Sequence, residues 1–186
     1  MPWKNSDTRY STMSIALHWL MVVLLAVVYA CIELRGQFPK GSGGRTLIVE
    51  MHFMFGLTVF VLVWLRLFAR SLGVAPKIVP APPQWQTLLA TLMHLALYAL
   101  MIGMPIAGWL IVSAEGHSVM FYGIELPPLI AENKALAKEI EHWHVLFGKV
   151  GYWLIGLHAL AAIVHHYILR DNTALRMMPG KRESIQ

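Results

Sequence analysis

Four long runs of apolar residues dominate the chain, near residues 12–34, 47–69, 86–113 and 143–169. Each run is long enough to cross the hydrocarbon core of a bilayer as a helix, which takes about 20 mainly apolar residues. The pattern predicts an all-α fold: an integral membrane four-helix bundle that forms one domain over residues 1–186.

The three connections between these runs differ in composition. Residues 35–46 contain four glycines, which predict a flexible loop. Residues 71–85 contain four prolines, which forbid a helix and favour an extended spacer. The longest connection, residues 114–141, closes with the segment from Asn133 to Glu141, which predicts a short amphipathic helix lying on the membrane surface.

Positive charge predicts the orientation of the bundle, because Lys and Arg near helix ends are retained in the cytoplasm. One side has nine such residues: Lys4, Arg9, Arg66, Arg70, Lys77, Arg170, Arg176, Lys181 and Arg182. The other side has five: Arg35, Lys40, Arg45, Lys134 and Lys138. Both termini are therefore expected in the cytoplasm, and the first and third helices should run outward.

Composition supports a membrane protein and excludes several other classes. Hydrophobic residues make up 57% of the chain and charged residues 13%, with a mean hydropathy of +0.57. A soluble domain carries roughly 25% charged residues. The basic residues flank apolar runs, so no nucleic-acid partner is expected. Cys31 is the one cysteine, which excludes an internal disulfide and a covalently attached c-type haem.

Histidines inside the apolar runs are the candidate functional residues, because imidazole is costly in lipid and should face the bundle interior. The runs contain seven of them: His18, His52, His94, His144, His158, His165 and His166. His144 and His158 are 14 residues apart, so in a helix they lie about 21 Å apart and within about 40° of one face. Two positions so far apart require two separate partners.

Depth in the membrane supplies those partners. His52 lies near the outer start of the second helix, at the depth of His144, and His18 lies at the depth of His158. Each pair could hold one metal ion axially, as a low-spin b-type haem requires, whereas four ligands at two depths exclude a tetrahedral zinc site. The alternative is that these histidines only form hydrogen bonds between helices. His94 lies on the inner half of the third helix, so depth alone leaves it open as an inner ligand.

Glycines accompany the outer pair. His52 and His144 each open the pattern His-x-x-x-Gly, which places Gly56 and Gly148 one turn away on the same helix face. A flat macrocycle needs such missing side chains to approach a helix.

Five segments carry a resemblance to a known family: ALHWL at 16–20, RGQFPKG at 35–41, EMHFMFG at 50–56, WHVLFGKVGYWLIGLHA at 143–159 and HHYILRDNTALRMMP at 165–179. They resemble the bacterial cytochrome b561 family of four-helix membrane proteins with two b haems, which is related to the cytochrome b subunits of hydrogenases and formate dehydrogenases. The likeness covers nearly the whole chain and is weakest in residues 71–85 and 114–140. It implies a protein of the bacterial inner membrane that binds two haems b, with His18, His52, His144 and His158 as axial ligands.

Three further residues are candidates for roles beside the haems. Arg66 follows His52 by 14 residues, so it should reach the inner haem and could pair with a propionate, unless it extends to the cytoplasmic headgroups instead. His165 lies two turns beyond His158 and could exchange a proton with a quinone, or be an interfacial histidine without a role. His94 is then a neighbour of the inner haem or a quinone-side residue.

The resemblance also implies an activity, because the family includes quinone-linked superoxide oxidation. Superoxide would give one electron to the outer haem, which passes it to the inner haem and on to ubiquinone. One alternative is an electron-transfer subunit that accepts electrons from a periplasmic dehydrogenase partner. An alternative from another class is a haem-free transporter or proton channel that uses the buried histidines as relay sites.

Overall fold

The computed structural model describes residues 4–180, and four long helices account for most of them. They are α1 (Thr12–Leu34), α2 (Gly43–Ser71), α3 (Gln84–Ala114) and α4 (Lys134–Val164). All four are long and apolar enough to span a membrane. The prediction of a four-helix membrane bundle is confirmed; α1, α2 and α3 each cover a predicted apolar run, and the fourth run is divided between α4 and a π-helical turn over His165–Leu169.

Polar side chains start three of these helices. The side chains of Ser11, Ser42 and Asn133 each accept a hydrogen bond from the backbone N–H three residues further on. This satisfies one of the backbone donors that a helix start leaves without an internal partner. The fourth helix, α3, begins directly after Pro83, where the proline-rich connection ends.

The structure differs from the sequence prediction at the start of α4. Residues 134–141 form the first two turns of α4 itself, so the prediction of a separate helix on the membrane surface is wrong. The segment between Asn133 and Gly148 contains no glycine or proline, so nothing interrupts the helix before the apolar run begins. These amphipathic turns instead begin α4 itself, and Ala137 in them is buried.

A small hairpin, which the sequence pattern does not predict, follows α3. Strands β1 (Val119–Phe121) and β2 (Ile124–Leu126) pair in antiparallel fashion. Val119 packs in a buried apolar cluster with Leu57 of α2 and Val112 of α3, which holds the hairpin against the bundle. We call this end of the molecule, formed by residues 35–42 and 115–133, the hairpin face.

Apolar side chains from α1, α2 and α3 form the centre of the bundle. Met21, Val59, Val63 and Met101 make one buried cluster there. A polar contact joins α1 to α4, because the hydroxyl of Tyr29 donates to the carbonyl oxygen of Gly148 at 2.9 Å.

The opposite end of the bundle holds both ends of the described chain. Residues 4–11, 72–83 and 170–180 meet there, and we call this end the terminal face. Backbone hydrogen bonds join the three segments, from Lys77 N to Asp7 O at 3.1 Å and from Tyr10 N to Arg176 O at 3.3 Å. Lys181 and Arg182, which contribute to the predicted excess of positive charge, lie outside the described residues.

Candidate functional site

The structure brings the rings of His52 in α2 and His144 in α4 close together, near the hairpin face. The centroids of the two rings are 6.3 Å apart and the ring planes are inclined by 74°. We call these residues the outer pair. Nδ1 of His52 lies 2.9 Å from the carbonyl oxygen of Val28 in α1. A carbonyl oxygen only accepts, so Nδ1 carries the proton and Nε2 keeps a free lone pair.

A cavity of about 380 Å³ surrounds the outer pair. Its walls are mainly apolar and include Gly56, Gly108 and Gly148. A Cβ atom added at Gly56 would meet no atom within 4 Å, so the cavity is open at this point. A Cβ atom at Gly108 would lie 3.5 Å from Cε1 of His144, so α3 approaches this ring closely. The volume and the apolar walls are typical of a cofactor site.

Several polar side chains also line this cavity, and they come from the end of α1 and from α4. They include two acidic and two basic residues, Glu33, Glu141, Arg35 and Lys149. Tyr152 completes the group, and its hydroxyl donates to Oε1 of Glu33 at 2.7 Å. The cavity therefore combines an apolar interior with charged groups of both signs.

A second histidine pair lies nearer the terminal face. The ring centroids of His18 in α1 and His158 in α4 are 6.2 Å apart, with planes inclined by 75°. We call these residues the inner pair. The ring of His94 in α3 is also close, with its centroid 5.6 Å from that of His158. Because His158 follows His144 by 14 residues in α4, the two pairs are about 21 Å apart along that helix.

The ring separations test whether each pair could hold an iron porphyrin. An imidazole nitrogen binds a metal ion at about 2 Å and the ring centroid lies about 1.1 Å behind it, so two imidazoles on opposite sides of one ion should have centroids roughly 6.2 Å apart. The outer pair at 6.3 Å and the inner pair at 6.2 Å both fit this value, whereas the separation of 5.6 Å between His94 and His158 is shorter. Within residues 4–180, no three or more His, Cys, Asp or Glu side chains group as metal ligands.

Unpartnered buried nitrogens lie at both pairs. Nδ1 of His144 is buried without a hydrogen-bond partner among the described residues, and so is Nη1 of Arg66. The charge of Arg66 acts on both His18 and His158, which places it beside the inner pair. A buried guanidinium without a protein partner fits an anionic group such as a carboxylate at this level.

His165 lies beyond the inner pair, in a π-helical turn that closes α4 over His165–Leu169. Its Nδ1 is 2.5 Å from Oδ2 of Asp171, and the two side chains are 20% and 5% exposed. Burial raises the pKa of Asp171, but hydrogen bonds from His165 and Thr173 outweigh it and hold that pKa below its ordinary value. The carboxylate is therefore ionised.

Sequence reasoning did not identify Asp171. Asp171 is the single acidic residue of the segment HHYILRDNTALRMMP, which resembles the family but predicts no role for this residue. The sequence feature that could have identified Asp171 is a carboxylate just after an apolar run that has a histidine near its end. A chain reversal after the helix can bring the carboxylate and the histidine together.

A membrane bundle with facing histidine pairs at two depths has the architecture of a b-type cytochrome. The chain belongs to the prokaryotic cytochrome b561 family, whose model matches residues 9–180. Family membership implies that the protein binds haem b and transfers electrons in a membrane.

Curated relatives agree with this assignment. The chain is 41% identical to cytochrome b561 homolog 1 of Escherichia coli strain K12 over 174 residues, which cover 94% of this chain and 99% of the relative. It is 38% identical to the probable superoxide oxidase CybB of Yersinia pestis, with coverage of 94% and 98%. It is 28% identical to cytochrome b561 homolog 2 of Escherichia coli strain K12, with coverage of 99% and 98%.

Proposed function

We propose that the protein is a di-haem cytochrome b of the bacterial inner membrane that moves electrons between the periplasm and the quinone pool. In this proposal His52 and His144 are the axial ligands of the outer haem, and His18 and His158 are those of the inner haem. The main support is that both pairs have the ring separation expected for axial ligands, 6.3 and 6.2 Å, while α4 contributes one residue to each. When bound, the haems supply two one-electron carriers.

Two further residues complete the inner site. Arg66 is proposed to bind a haem propionate, because its buried Nη1 lacks a partner in residues 4–180 and its charge acts on both members of the inner pair. His94 is proposed to line the inner or quinone side rather than to ligate, since its ring is closer to His158 than two axial ligands would be.

The proposed reaction is the oxidation of superoxide to dioxygen coupled to the reduction of ubiquinone. A relative at 38% identity is named as a probable superoxide oxidase. Arg35 and Lys149 line the cavity at the outer pair and can attract a small anion, although Glu33 and Glu141 reduce the local positive charge. Ubiquinone is proposed to accept electrons near His165, between the inner pair and the terminal face.

The orientation of the bundle follows from the same proposal. The terminal face, with both ends of the described chain, is placed in the cytoplasm, and the hairpin face in the periplasm. This agrees with the excess of Lys and Arg in the segments of the terminal face.

A haem count and a superoxide assay test this function. A reduced-minus-oxidised optical spectrum should show two haems b per chain, and a colourless protein would favour the histidine-relay transporter instead. The oxidised, haem-loaded protein is then exposed to a steady source of superoxide, with added superoxide dismutase as the control. We expect haem reduction faster than the dismutation of the anion, followed by reoxidation when a short-chain ubiquinone is added.

The same preparation distinguishes the rival electron-transfer subunit. If superoxide does not reduce the haems faster than it dismutates, and a dehydrogenase remains bound after gentle detergent extraction, superoxide is not the donor. In that case the proposed substrate is wrong, and the proposed haem-binding residues are unaffected by this result.

A further inference from the structure

We infer that Asp171 is a positioning residue for quinone reduction, because it holds His165 as a proton donor to the quinone. The inference rests on the proposed reduction of a quinone at the terminal face. It assigns a role to a buried carboxylate that the haem sites do not use.

A side-chain contact and a backbone hydrogen bond both join His165 to Asp171. Nδ1 of His165 lies 2.5 Å from Oδ2 of Asp171, and the backbone N–H of Asp171 donates to the carbonyl oxygen of His165 at 3.1 Å. The chain reverses between them at Arg170, whose φ of 54° is left-handed. The π-helical turn and this reversal place the carboxylate directly against the ring, so the ring cannot turn without losing its partner.

The carboxylate is itself held in place by its surroundings. Its second oxygen, Oδ1, accepts from the backbone N–H of Thr173 at 2.8 Å. The neighbouring Asn172 accepts from Val79 N at 2.9 Å and donates to the carbonyl oxygen of Lys77 at 3.2 Å, which fastens this turn to the proline-rich connection. Asp171 is 7% exposed. A carboxylate fixed in this way can orient an imidazole through one ring nitrogen.

Hydrogen bonds from His165 and Thr173 keep Asp171 ionised, and a buried cation lies nearby. The guanidinium of Arg176, itself 9% exposed, interacts with the charge of Asp171 and donates to the carbonyl oxygen of Pro76. Arg70 and Tyr10 are the other titratable groups that act on Arg176. Because an ionised carboxylate only accepts, Nδ1 of His165 carries a proton toward Asp171, so the proton that passes to the quinone is a second one, carried on Nε2.

That second proton balances the reaction. A quinone takes up two electrons and two protons to become a quinol, and in the proposed function the two electrons come from two superoxide anions, which leave as dioxygen. The Nε2–H bond of His165 breaks as an O–H bond forms on one quinone carbonyl. The ring is then neutral, with its remaining proton on Nδ1, and it regains a proton from water at the terminal face, while the other carbonyl takes its proton from water.

Asp171→Asn is the test, with Asp7→Asn as the matched control at an exposed aspartate of the same face. Each haem-loaded variant is reduced and mixed with a short-chain ubiquinone in a stopped-flow instrument across a range of pH. For Asp171→Asn we expect wild-type haem content and wild-type reduction by superoxide, but quinone reduction about tenfold slower at neutral pH. The alkaline limb of its pH profile should shift, because the amide can itself donate to Nδ1 and no longer fixes the proton there. Asp7→Asn should match the wild type.

Three more variants decide whether Asp171 positions His165 or only supports the fold. His165→Gln should remove the alkaline limb, and Asp171→Asn added to it should slow the reaction no further. Asp171→Glu should keep the wild-type pH profile. If Asp171→Asn fails to retain haem, His165→Gln and Asp171→Glu carry the test. An unshifted profile in Asp171→Asn, or a wild-type profile in His165→Gln, would overturn the inference. A wild-type protein that reduces no quinone would instead overturn the proposed function.

Discussion

The Nδ1–H of His52 donates to the carbonyl oxygen of Val28 at 2.9 Å, so a backbone group of α1 orients a ring that belongs to α2. His144, the other member of the outer pair, has no hydrogen-bond partner at Nδ1 among residues 4–180. The two rings that face the same cavity are therefore held differently. When one ring nitrogen of a histidine binds a metal ion, a hydrogen bond at the other nitrogen fixes the tautomer and orientation of the ring and strengthens the metal binding.

The pairing of the histidines predicts which variants lose the same haem. His52→Ala, His144→Ala and the double variant should each retain one haem per chain, because either substitution would remove one of the two proposed ligands of the outer haem. Combining His52→Ala with His18→Ala should remove both haems. Exposed His142 provides the control, and His142→Ala should retain two. Pyridine haemochrome spectra give the counts, and loss of both haems in the first double variant would contradict the pairing.

Gly56 should be required because the cavity needs space beside the outer pair. A side chain at this position would point into open space within the cavity, so Gly56→Leu should reduce the haem content of the outer site while the bundle still folds. Gly103 is a matched control, because it also has open space around it but does not line the cavity. The measurement is the haem-to-protein ratio together with helix content from circular dichroism. Equal haem loss in the two variants would refute this role.

Arg66 should set the redox potential of the inner haem. Removing a positive charge about 10 Å away, at an effective dielectric constant near 20, should lower the midpoint potential by roughly 50 to 100 mV, because the reduced form loses a favourable interaction. Arg66→Gln is compared with Arg70→Gln, an exposed arginine one turn further along α2. Spectroelectrochemical titration should resolve a shift in one haem in the first variant. A potential unchanged by Arg66→Gln would place the guanidinium away from the haem.

Acidic pH should destabilise the terminal face, because it protonates the carboxylate of Asp171. Its pKa in the folded protein is held below the ordinary value of 3.8, so the ionised carboxylate stabilises the fold above that value, and this contribution is lost as the pH falls through the lowered pKa. Asp171→Asn should therefore open the segment 170–178 more often than the wild type at neutral pH, and the difference should shrink in strong acid. Hydrogen exchange, corrected for intrinsic rates, measures this. A difference that grows on acidification would have the wrong sign.

Close contact between α1 and α4 should make Gly151 intolerant of a larger residue. A Cβ atom there would overlap the hydroxyl of Tyr29 and lie 3.1 Å from Cδ2 of Leu100, so Gly151→Ala should destabilise the protein by about 1 to 3 kcal/mol. Tyr29→Phe alone should cost about 1 kcal/mol, because it removes the hydrogen bond to Gly148. The double variant should be more stable than Gly151→Ala. Thermal unfolding in detergent measures all three, and strictly additive losses would contradict the overlap.

The helices and the facing histidines could be predicted from the sequence for a physical reason. A span must be long and apolar, and depth within it follows from 1.5 Å of rise per residue, so counting residues is enough to match the levels of His18, His52, His144 and His158. The same arithmetic places Arg66 near the inner pair. Depth carries no information about rotation between helices, so it left His94 open beside His18 as an inner ligand, and the resemblance to the family was needed to favour His18.

Other features depend on tertiary contacts that leave no periodic pattern. The hydrogen bond from His52 goes to a backbone carbonyl, and any residue at position 28 would provide one. The hairpin at 119–126 has strands of three residues, too short to show alternation, and it is held by packing against Leu57 and Val112. Asp171 reaches His165 through a left-handed residue and a π-helical turn, neither of which hydrophobicity encodes. The predicted boundary at the start of α4 is wrong because a change from polar to apolar residues does not by itself break a helix.

The two histidines of α4 belong to one continuous helix from Lys134 to Val164, with no loop between them. The spacing of these two rings along α4 is consequently fixed by the geometry of the helix, and loop motions at either end of the bundle leave it unchanged. Adding or deleting a single residue between positions 144 and 158 would rotate one ring by about 100° relative to the other. The length of this stretch is therefore under tighter constraint than the identity of most of its side chains.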